Sequence, residues 1–163
     1  MNSTTKLLEF RPGVWTALIA DLRNRGNGCR ESGAFLLGNI VNGIRVAQTW
    51  LPYDELDPLS LNYEYIRLRS EAFSKLWEIC EQHHMQVVAD VHTHPRGPGQ
   101  SPSDRANPMI GLAGHMALII PRFAQGNVTP ADVSVNVYLG AKRWESHFGQ
   151  QAVVLIKLPS GEI

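Results

Sequence analysis

The stretch QVVADVHTHPRGPGQSPSD, residues 86–104, joins an apolar run to a dense group of polar side chains. Residues 86–92 are typical of a buried strand, and Pro95 ends it because proline cannot donate a hydrogen bond to a neighbouring strand. His92 and His94 are two residues apart, so both imidazoles lie on the same face if the strand extends that far. Imidazole nitrogens are good zinc ligands, and two of them on one face can share an ion.

The end of this stretch, SPSD at 101–104, is typical of a helix N-terminus. Ser101 stands at the capping position, Pro102 at the first helical position and Asp104 three residues after the cap. A capping box would orient Ser101 and Asp104 toward the same end of the helix, so the Asp104 carboxylate is a candidate third metal ligand. Three protein ligands leave one tetrahedral position to water, which zinc makes a usable nucleophile near neutral pH.

A hydrolytic site also needs a base to take the proton of the water. In CRESGAFLLGNI, residues 29–40, Glu31 comes just before an apolar run that predicts a strand. A carboxylate beside a buried strand is partly desolvated, and desolvation raises its proton affinity. Glu31 is therefore the candidate base, a group that accepts a proton and later returns it.

The rest of the chain mixes helix and strand patterns. Helical spacing predicts helices over 11–26 and 70–85, and Asn42-Gly43 predicts a tight hairpin turn within 33–52 because both central residues need positive φ. Residues 53–62 are predicted as a loop. Further strands are predicted over 7–10, 63–68, 115–121, 132–139, 143–148 and 152–158. This mixture predicts an α/β or α+β fold with helices packed on a sheet.

Composition limits the classes of function. A length of 163 residues with 44% hydrophobic residues predicts one compact domain, 1–163. Lys plus Arg and Asp plus Glu both number 15, so no net charge attracts nucleic acid or an anionic membrane. No apolar run approaches the ~18 residues of a membrane span, and no signal peptide is visible, so a cytoplasmic location is expected. Cys29 and Cys80 lack CxxC partners, which argues against a disulfide scaffold or a cysteine zinc knuckle.

Glu31, HTHP at 92–95, and Ser101 with Asp104 together resemble the signature of the JAMM (JAB1/MPN/Mov34) zinc metalloproteases. That signature is an upstream glutamate, then HxHP, a loop and SxxD, and the resemblance covers roughly residues 5–140. It points to the small, single-domain prokaryotic members. It implies a curved, mostly antiparallel mixed β-sheet flanked by helices, with layering like that of cytidine deaminases.

The resemblance implies one catalytic zinc ion with three protein ligands, His92, His94 and Asp104. It further implies that Glu31 activates the water and that Ser101 stabilises the tetrahedral oxyanion. The loop RGPGQ between Pro95 and Ser101 is about one residue shorter than in many relatives. Ser103 is therefore kept as the alternative hydroxyl.

The resemblance implies a zinc-dependent isopeptidase or peptidase that cuts the bond after the C-terminal tail of a ubiquitin-like protein. The leaving amine would be a lysine side chain or an α-amine. Expected partners are the ubiquitin-like protein, its conjugates and its conjugating enzymes, in a bacterial pathway such as antiphage defence. A peptidase that processes a sulfur-carrier protein ranks second. A non-catalytic scaffold of the same superfamily would be expected to lack a metal ligand, and none is missing here.

A protein tail must lie beside such a site in an extended conformation, and pairing with a free strand edge is the usual physical solution. The segment 51–65 and the loop 95–100 are the candidate walls of that groove. The candidate substrate-binding side chains in the first segment are Tyr53, Leu59, Leu61 and Tyr63.

Overall fold

The computed structural model describes residues 7–62 and 65–162. Its strands are β1 (Leu8–Phe10), β2 (Gly33–Val41), β3 (Ile44–Pro52), β4 (Gln86–Thr93), β5 (Met116–Ile120), β6 (Ser134–Gly140), β7 (Arg143–His147) and β8 (Ile156–Lys157). Its helices are α1 (Val14–Gly26), α2 (Tyr53–Leu56), α3 (Ser70–His83), α4 (Pro102–Ala106) and α5 (Gln150–Val153), with short 3₁₀ turns at Arg122–Ala124 and Pro130–Asp132.

The strands form one eight-stranded sheet in the order β7-β6-β5-β4-β2-β3-β1-β8. The pairs β2–β3, β2–β4, β5–β6 and β6–β7 are antiparallel, whereas β1–β3, β1–β8 and β4–β5 are parallel. The register of β2 shifts against β3 after Leu37 and against β4 after Leu36, and such irregularities bend a sheet. The prediction of a curved, mostly antiparallel mixed sheet with helices is confirmed.

Helices pack on both faces of this sheet. The face that receives α1 holds Trp15, Leu18 and Leu36 in one buried cluster. The face that receives α3 holds Phe35 and Leu76 in a second cluster. Phe35 and Leu36 are neighbours in β2, and successive side chains of a strand point to opposite faces, so the two clusters lie on opposite sides of the sheet.

The ends of two elements follow local rules. Asn42 and Gly43 have φ values of 52° and 79°, which confirms the predicted tight turn between β2 and β3. The residue before α1, Gly13, has no side chain to cap the helix. Glu162 serves instead, because its carboxylate accepts hydrogen bonds from the N–H groups of Gly13 at 2.9 Å and Thr16 at 3.2 Å.

Three predicted elements differ from the structure. Residues 53–56 form the short helix α2 within the predicted loop. Of the predicted strand 63–68, Tyr63 and Glu64 lie outside the described residues, and Ile66 makes a single bridge to Leu61. Most of the predicted strand 152–158 is the end of α5 and a turn, and Ile156–Lys157 pairs with β1. β-Branched residues favour a strand when a partner edge is within reach, and the short β1 offers little edge.

None of the helices within 7–62 and 65–162 is long and apolar enough to cross a membrane.

Candidate metal centre

Both histidines lie where β4 ends in the middle of the sheet. His92 belongs to the strand. His94 continues its direction, because its N–H donates to the carbonyl of Ile120 at 2.9 Å and its own carbonyl accepts from the N–H of Phe123 at 2.9 Å. The two side chains therefore share a face, and their Nε2 atoms are 3.0 Å apart.

The predicted capping box brings Asp104 to the histidines. The N–H of Asp104 donates to Ser101 Oγ at 3.1 Å, and the N–H of Ser101 donates to Asp104 Oδ2 at 2.7 Å. Asp104 Oδ1 lies 3.3 Å from His92 Nε2, and Oδ2 lies 3.1 Å from His94 Nε2. Ser101, and not the exposed Ser103, is the serine whose hydroxyl contacts Asp104.

A clamp at the start of β2 brings Glu31 to the same place. The N–H of Ser32 donates to Thr93 Oγ1 at 3.0 Å, and the N–H of Thr93 donates to the carbonyl of Ser32 at 2.8 Å. The Ser32 hydroxyl donates to the carbonyl of Leu22 at 2.7 Å. These bonds hold the residue after Glu31 against the end of β4, and Glu31 Oε1 lies 3.9 Å from His94 Nε2.

These side chains could hold a metal ion. The ligand atoms of Glu31, His92 and His94 all lie within 4.8 Å of one another. Asp104 is closer still to both imidazoles, at 3.1 and 3.3 Å. Ligand atoms around a tetrahedral zinc, bound at about 2.0–2.1 Å, are about 3.3 Å apart, so two imidazoles and a carboxylate at these spacings fit zinc. Either Glu31 or Asp104 can supply the carboxylate, and the prediction that Asp104 does so stays a prediction.

The site is half-buried, with side-chain exposures of 11–21% for the two histidines, Glu31 and Asp104. Burial raises the pKa of Glu31 above its ordinary value, although the neighbouring histidines oppose this rise. Burial would also raise the pKa of Asp104, but hydrogen bonds to His92 and His94 outweigh it and hold the pKa well below the usual range. The two carboxylates of the site thus differ in the direction of their pKa shifts, upward for Glu31 and downward for Asp104.

The predicted groove residues do not form one surface. Tyr53 is fully buried, with its ring 4.9 Å from that of Phe35 and packed over Gly33, where any Cβ would collide with it. This corrects its prediction as a substrate-contacting residue: α2 turns back onto β2 and carries the ring into the core. Leu61, 9% exposed, belongs to the core on the α3 side, whereas Leu59 is 70% exposed. Tyr63 lies outside the described residues.

A strained turn that the sequence analysis missed supports His94. Arg122, Phe123 and Ala124 have φ values of 56°, 51° and 61°. Each such left-handed residue costs about 1–2 kcal/mol without glycine. The turn directs the Phe123 N–H at the carbonyl of His94 and the Arg122 N–H at the carbonyl of Arg96, at 2.9 and 3.0 Å. No signal in the sequence indicates it, since none of the three residue types favours this conformation.

Comparison with known proteins identifies a family and a shared fold. A family model described as prokaryotic homologs of the JAB domain matches residues 13–132, a range that contains Glu31, both histidines, Ser101 and Asp104.

Two solved structures share the fold. The solution structure of protein DSY2949 from Desulfitobacterium hafniense superposes with a TM-score of 0.68 at 14% sequence identity, over 94% of this chain and 93% of that one. The solution structure of a protein from Salinibacter ruber superposes with a TM-score of 0.57 at 18% identity, over 94% and 93% of the two chains. Because the matched model spans most of the sequence and includes the candidate metal centre, the chain belongs to the family of prokaryotic homologues of the JAB domain.

Proposed function

We propose that this protein is a zinc-dependent isopeptidase or peptidase. It hydrolyses the bond after the C-terminal tail of a ubiquitin-like protein, in deconjugation or precursor processing. The observation that carries the proposal is the convergence of His92, His94 and Asp104, with contacts of 3.0–3.3 Å, beside a separate carboxylate, Glu31, at 3.9 Å. A scaffold protein would need neither this spacing nor a second carboxylate.

His92, His94 and Asp104 are the proposed zinc ligands. Their contacts match the edge of a zinc tetrahedron, about 3.3 Å, more closely than the 3.9 Å contact of Glu31 does. A bound zinc ion supplies Lewis-acid chemistry, polarising a carbonyl group and lowering the pKa of water.

Glu31 is the proposed proton shuttle. Its pKa is raised by burial, and its backbone is fixed through the clamp between Ser32 and Thr93. It takes one proton from the attacking water as the new C–O bond forms at the scissile carbonyl carbon. It then gives that proton to the nitrogen as the C–N bond breaks, which completes the hydrolysis without any net change in Glu31.

Ser101 is the proposed hydrogen-bond donor to the oxyanion. Its Oγ accepts the hydrogen bond of the Asp104 N–H, which leaves the hydroxyl hydrogen available to donate. The cap fixes the position of the Ser101 oxygen before substrate binds, and a preorganised donor is worth more than one that must move into place.

Leu59 remains the candidate contact for the substrate tail. It is 70% exposed and lines an open cleft of about 650 Å³ together with Tyr65 and Arg67. The proposed setting is a bacterial, cytoplasmic conjugation pathway such as antiphage defence, with the ubiquitin-like protein and its conjugating enzymes as partners.

The test is a cleavage panel with the zinc-loaded chain. The probes are ubiquitin and a sulfur-carrier protein of the ubiquitin fold, each extended by a peptide bond or an isopeptide bond at its C-terminus. An unrelated folded domain with the same extension is the control. We expect cleavage after the tail of a ubiquitin-fold probe, its loss with a chelator and its return with zinc.

Cleavage of the sulfur-carrier probe alone would favour sulfur-carrier processing. Failure of the zinc-loaded chain on all probes, or cleavage that a chelator leaves unchanged, would contradict the proposal. A wild-type chain that folds normally but binds no zinc would indicate a scaffold.

A further inference from the structure

A narrow slot of about 50 Å³ opens beside the candidate metal centre. His92 and Asp104 form one end of it, whereas Met109, Ile119 and Trp144 form apolar walls. Glu31 and His94 are not part of its lining. The slot therefore adjoins the proposed reaction centre at His92 and Asp104, and nonpolar groups bonded to a reacting atom would find apolar contacts in it.

The slot contains one buried acceptor without a partner, Gln100 Oε1. The neighbouring carboxylates are already engaged: Asp104 contacts both histidines and the Ser101 N–H, and Asp90 Oδ2 lies 2.6 Å from His115 Nε2. Asn107, which also lines the slot, donates its amide N–H to the Ser103 carbonyl at 3.0 Å and is exposed, so water can reach the rest of its amide. A buried carbonyl oxygen without a donor is unfavourable, and a ligand N–H in the slot would supply the missing hydrogen bond.

We propose that Gln100 positions the scissile bond by accepting a hydrogen bond from its N–H group, with the carbon chain of the leaving amine in the slot. This inference rests on the proposed function. Among the hydrogen-bonding groups of an amide substrate, the scissile N–H is fixed one bond from the carbonyl carbon that must lie at the metal centre. It is therefore the donor that reaches the slot whichever tail is bound.

The bond also has a stereochemical consequence for the proton transfer. As the carbonyl carbon becomes tetrahedral, the nitrogen acquires a lone pair, which must be protonated before the C–N bond breaks. An N–H held in the slot by Gln100 directs that lone pair out of the slot, and Glu31, which does not line the slot, is the proposed donor of its proton. Gln100 itself neither gains nor loses a proton, so it is a positioning residue and Glu31 remains the shuttle.

The experiment compares an amide with the matching ester. One probe is a ubiquitin-fold protein from the cleavage panel joined through its C-terminal carboxyl group to the lysine Nε of a short peptide. The second has oxygen in place of that N–H, from 6-hydroxynorleucine at the same position. Gln100→Met removes the acceptor and keeps the side-chain volume, and Gln151→Met makes the same change at an exposed position of α5.

We expect Gln100→Met to lower the ratio of kcat/KM on the amide to kcat/KM on the ester by about tenfold to a hundredfold. The N–H of the amide loses its acceptor, whereas the ester never had a hydrogen to donate. Gln151→Met leaves the ratio unchanged, and both variants keep one zinc per chain and the wild-type melting temperature.

Three results would overturn the inference. Gln100→Met could leave the ratio within about threefold of the wild type, as it would if Gln100 binds only a water molecule. It could lose zinc, which would indicate a structural role, as would an unchanged ratio in which both rates fall equally. If the zinc-loaded wild type cleaves no probe, the proposed function fails and the inference fails with it, whereas an unchanged ratio on an active enzyme removes only the role of Gln100.

Discussion

Strand β4 contributes to two groups of polar side chains, one buried and paired and the other partly exposed and suited to a metal ion. Asp90 and His115 form a closed pair, 2% and 3% exposed, joined by a contact of 2.6 Å. Two residues further along, His92 lies 3.0–3.3 Å from His94 and Asp104, and the side chains of these three residues are 11–21% exposed. Histidine and aspartate side chains thus form a structural pair around Asp90 and a candidate metal centre around His92, and both of these residues belong to β4.

The two groups differ in the number of imidazole and carboxylate side chains that meet. In the closed pair one imidazole nitrogen meets one carboxylate oxygen in a buried contact, which offsets part of the cost of burying both groups. In the open group two imidazole nitrogens meet around Asp104, with the second carboxylate, Glu31, nearby. A divalent cation could bind these ligand atoms together, whereas a proton between the two imidazole nitrogens would join only that pair. The candidate metal centre therefore differs from the buried pair in two ways: it has more candidate ligand atoms, and they are partly exposed.

The largest expected effect comes from removing a ligand of the open group. His94→Ala should lower zinc affinity by at least about 100-fold and reduce hydrolysis to background, while the melting temperature without metal stays near that of the wild type. Zinc content after competition with a chelator measures this. The exposed His83→Ala is the matched control. A variant that keeps stoichiometric zinc would exclude His94 as a ligand.

The next effect separates the two carboxylates of the open group. Glu31→Gln should reduce kcat by about 10²–10⁴ and retain one zinc per chain, because the amide cannot shuttle a proton but Asp104 still binds the metal. Metal analysis and steady-state kinetics are measured on the same sample, with the exposed Glu78→Gln as control. Loss of zinc in Glu31→Gln would instead assign Glu31 as the third ligand.

The closed pair should respond in the opposite way. His115→Ala leaves Asp90 buried without its partner, so the free energy of unfolding should fall by about 2–4 kcal/mol and the melting temperature by about 5–15 °C. Zinc affinity should stay within about tenfold of the wild type. Urea denaturation and chelator competition measure the two quantities. A loss of zinc affinity without a loss of stability would show that the pair belongs to the metal centre.

The smallest effect is expected at an ion pair outside both groups, in which the buried Asp57 contacts the exposed Arg69. Hydrogen bonds from the Arg69 guanidinium, at 2.7 and 2.9 Å, and from its backbone N–H lower the pKa of Asp57 below its ordinary value. A lowered folded-state pKa stabilises the fold above the unfolded pKa of about 3.9, and this stabilisation disappears as the pH falls through the folded-state value.

Asp57→Asn should therefore be less stable than the wild type at pH 7 and pH 5, with the difference shrinking below about pH 4. Urea denaturation of both proteins at several pH values measures it. A difference that does not depend on pH would mean that the hydrogen-bond geometry, and not the charge, stabilises this region.

The local features that were predicted correctly depend on residues that are close together in the sequence. The turn at Asn42-Gly43 and the capping box of Ser101 and Asp104 involve atoms at most three residues apart, so residue type and spacing suffice. The placement of Glu31 near the histidines was predicted from the family resemblance and from no local rule. Tyr53 was misplaced because an aromatic residue after a strand gives no sign of whether the chain turns inward.

The sequence by itself determined the ligand types, their order along β4 and α4, and the alternation that places His92 and His94 on one face. Only the tertiary structure decided that Ser32 clamps Glu31 against the end of β4, that Gly33 makes room for the buried Tyr53, and that Gln100 faces a slot without a partner. The physical reason is the sequence separation of the interacting residues. Periodicity and caps are set by bonds within a few residues, whereas these contacts join segments brought together by the pairing of β2 with β4 and by burial of the two cores.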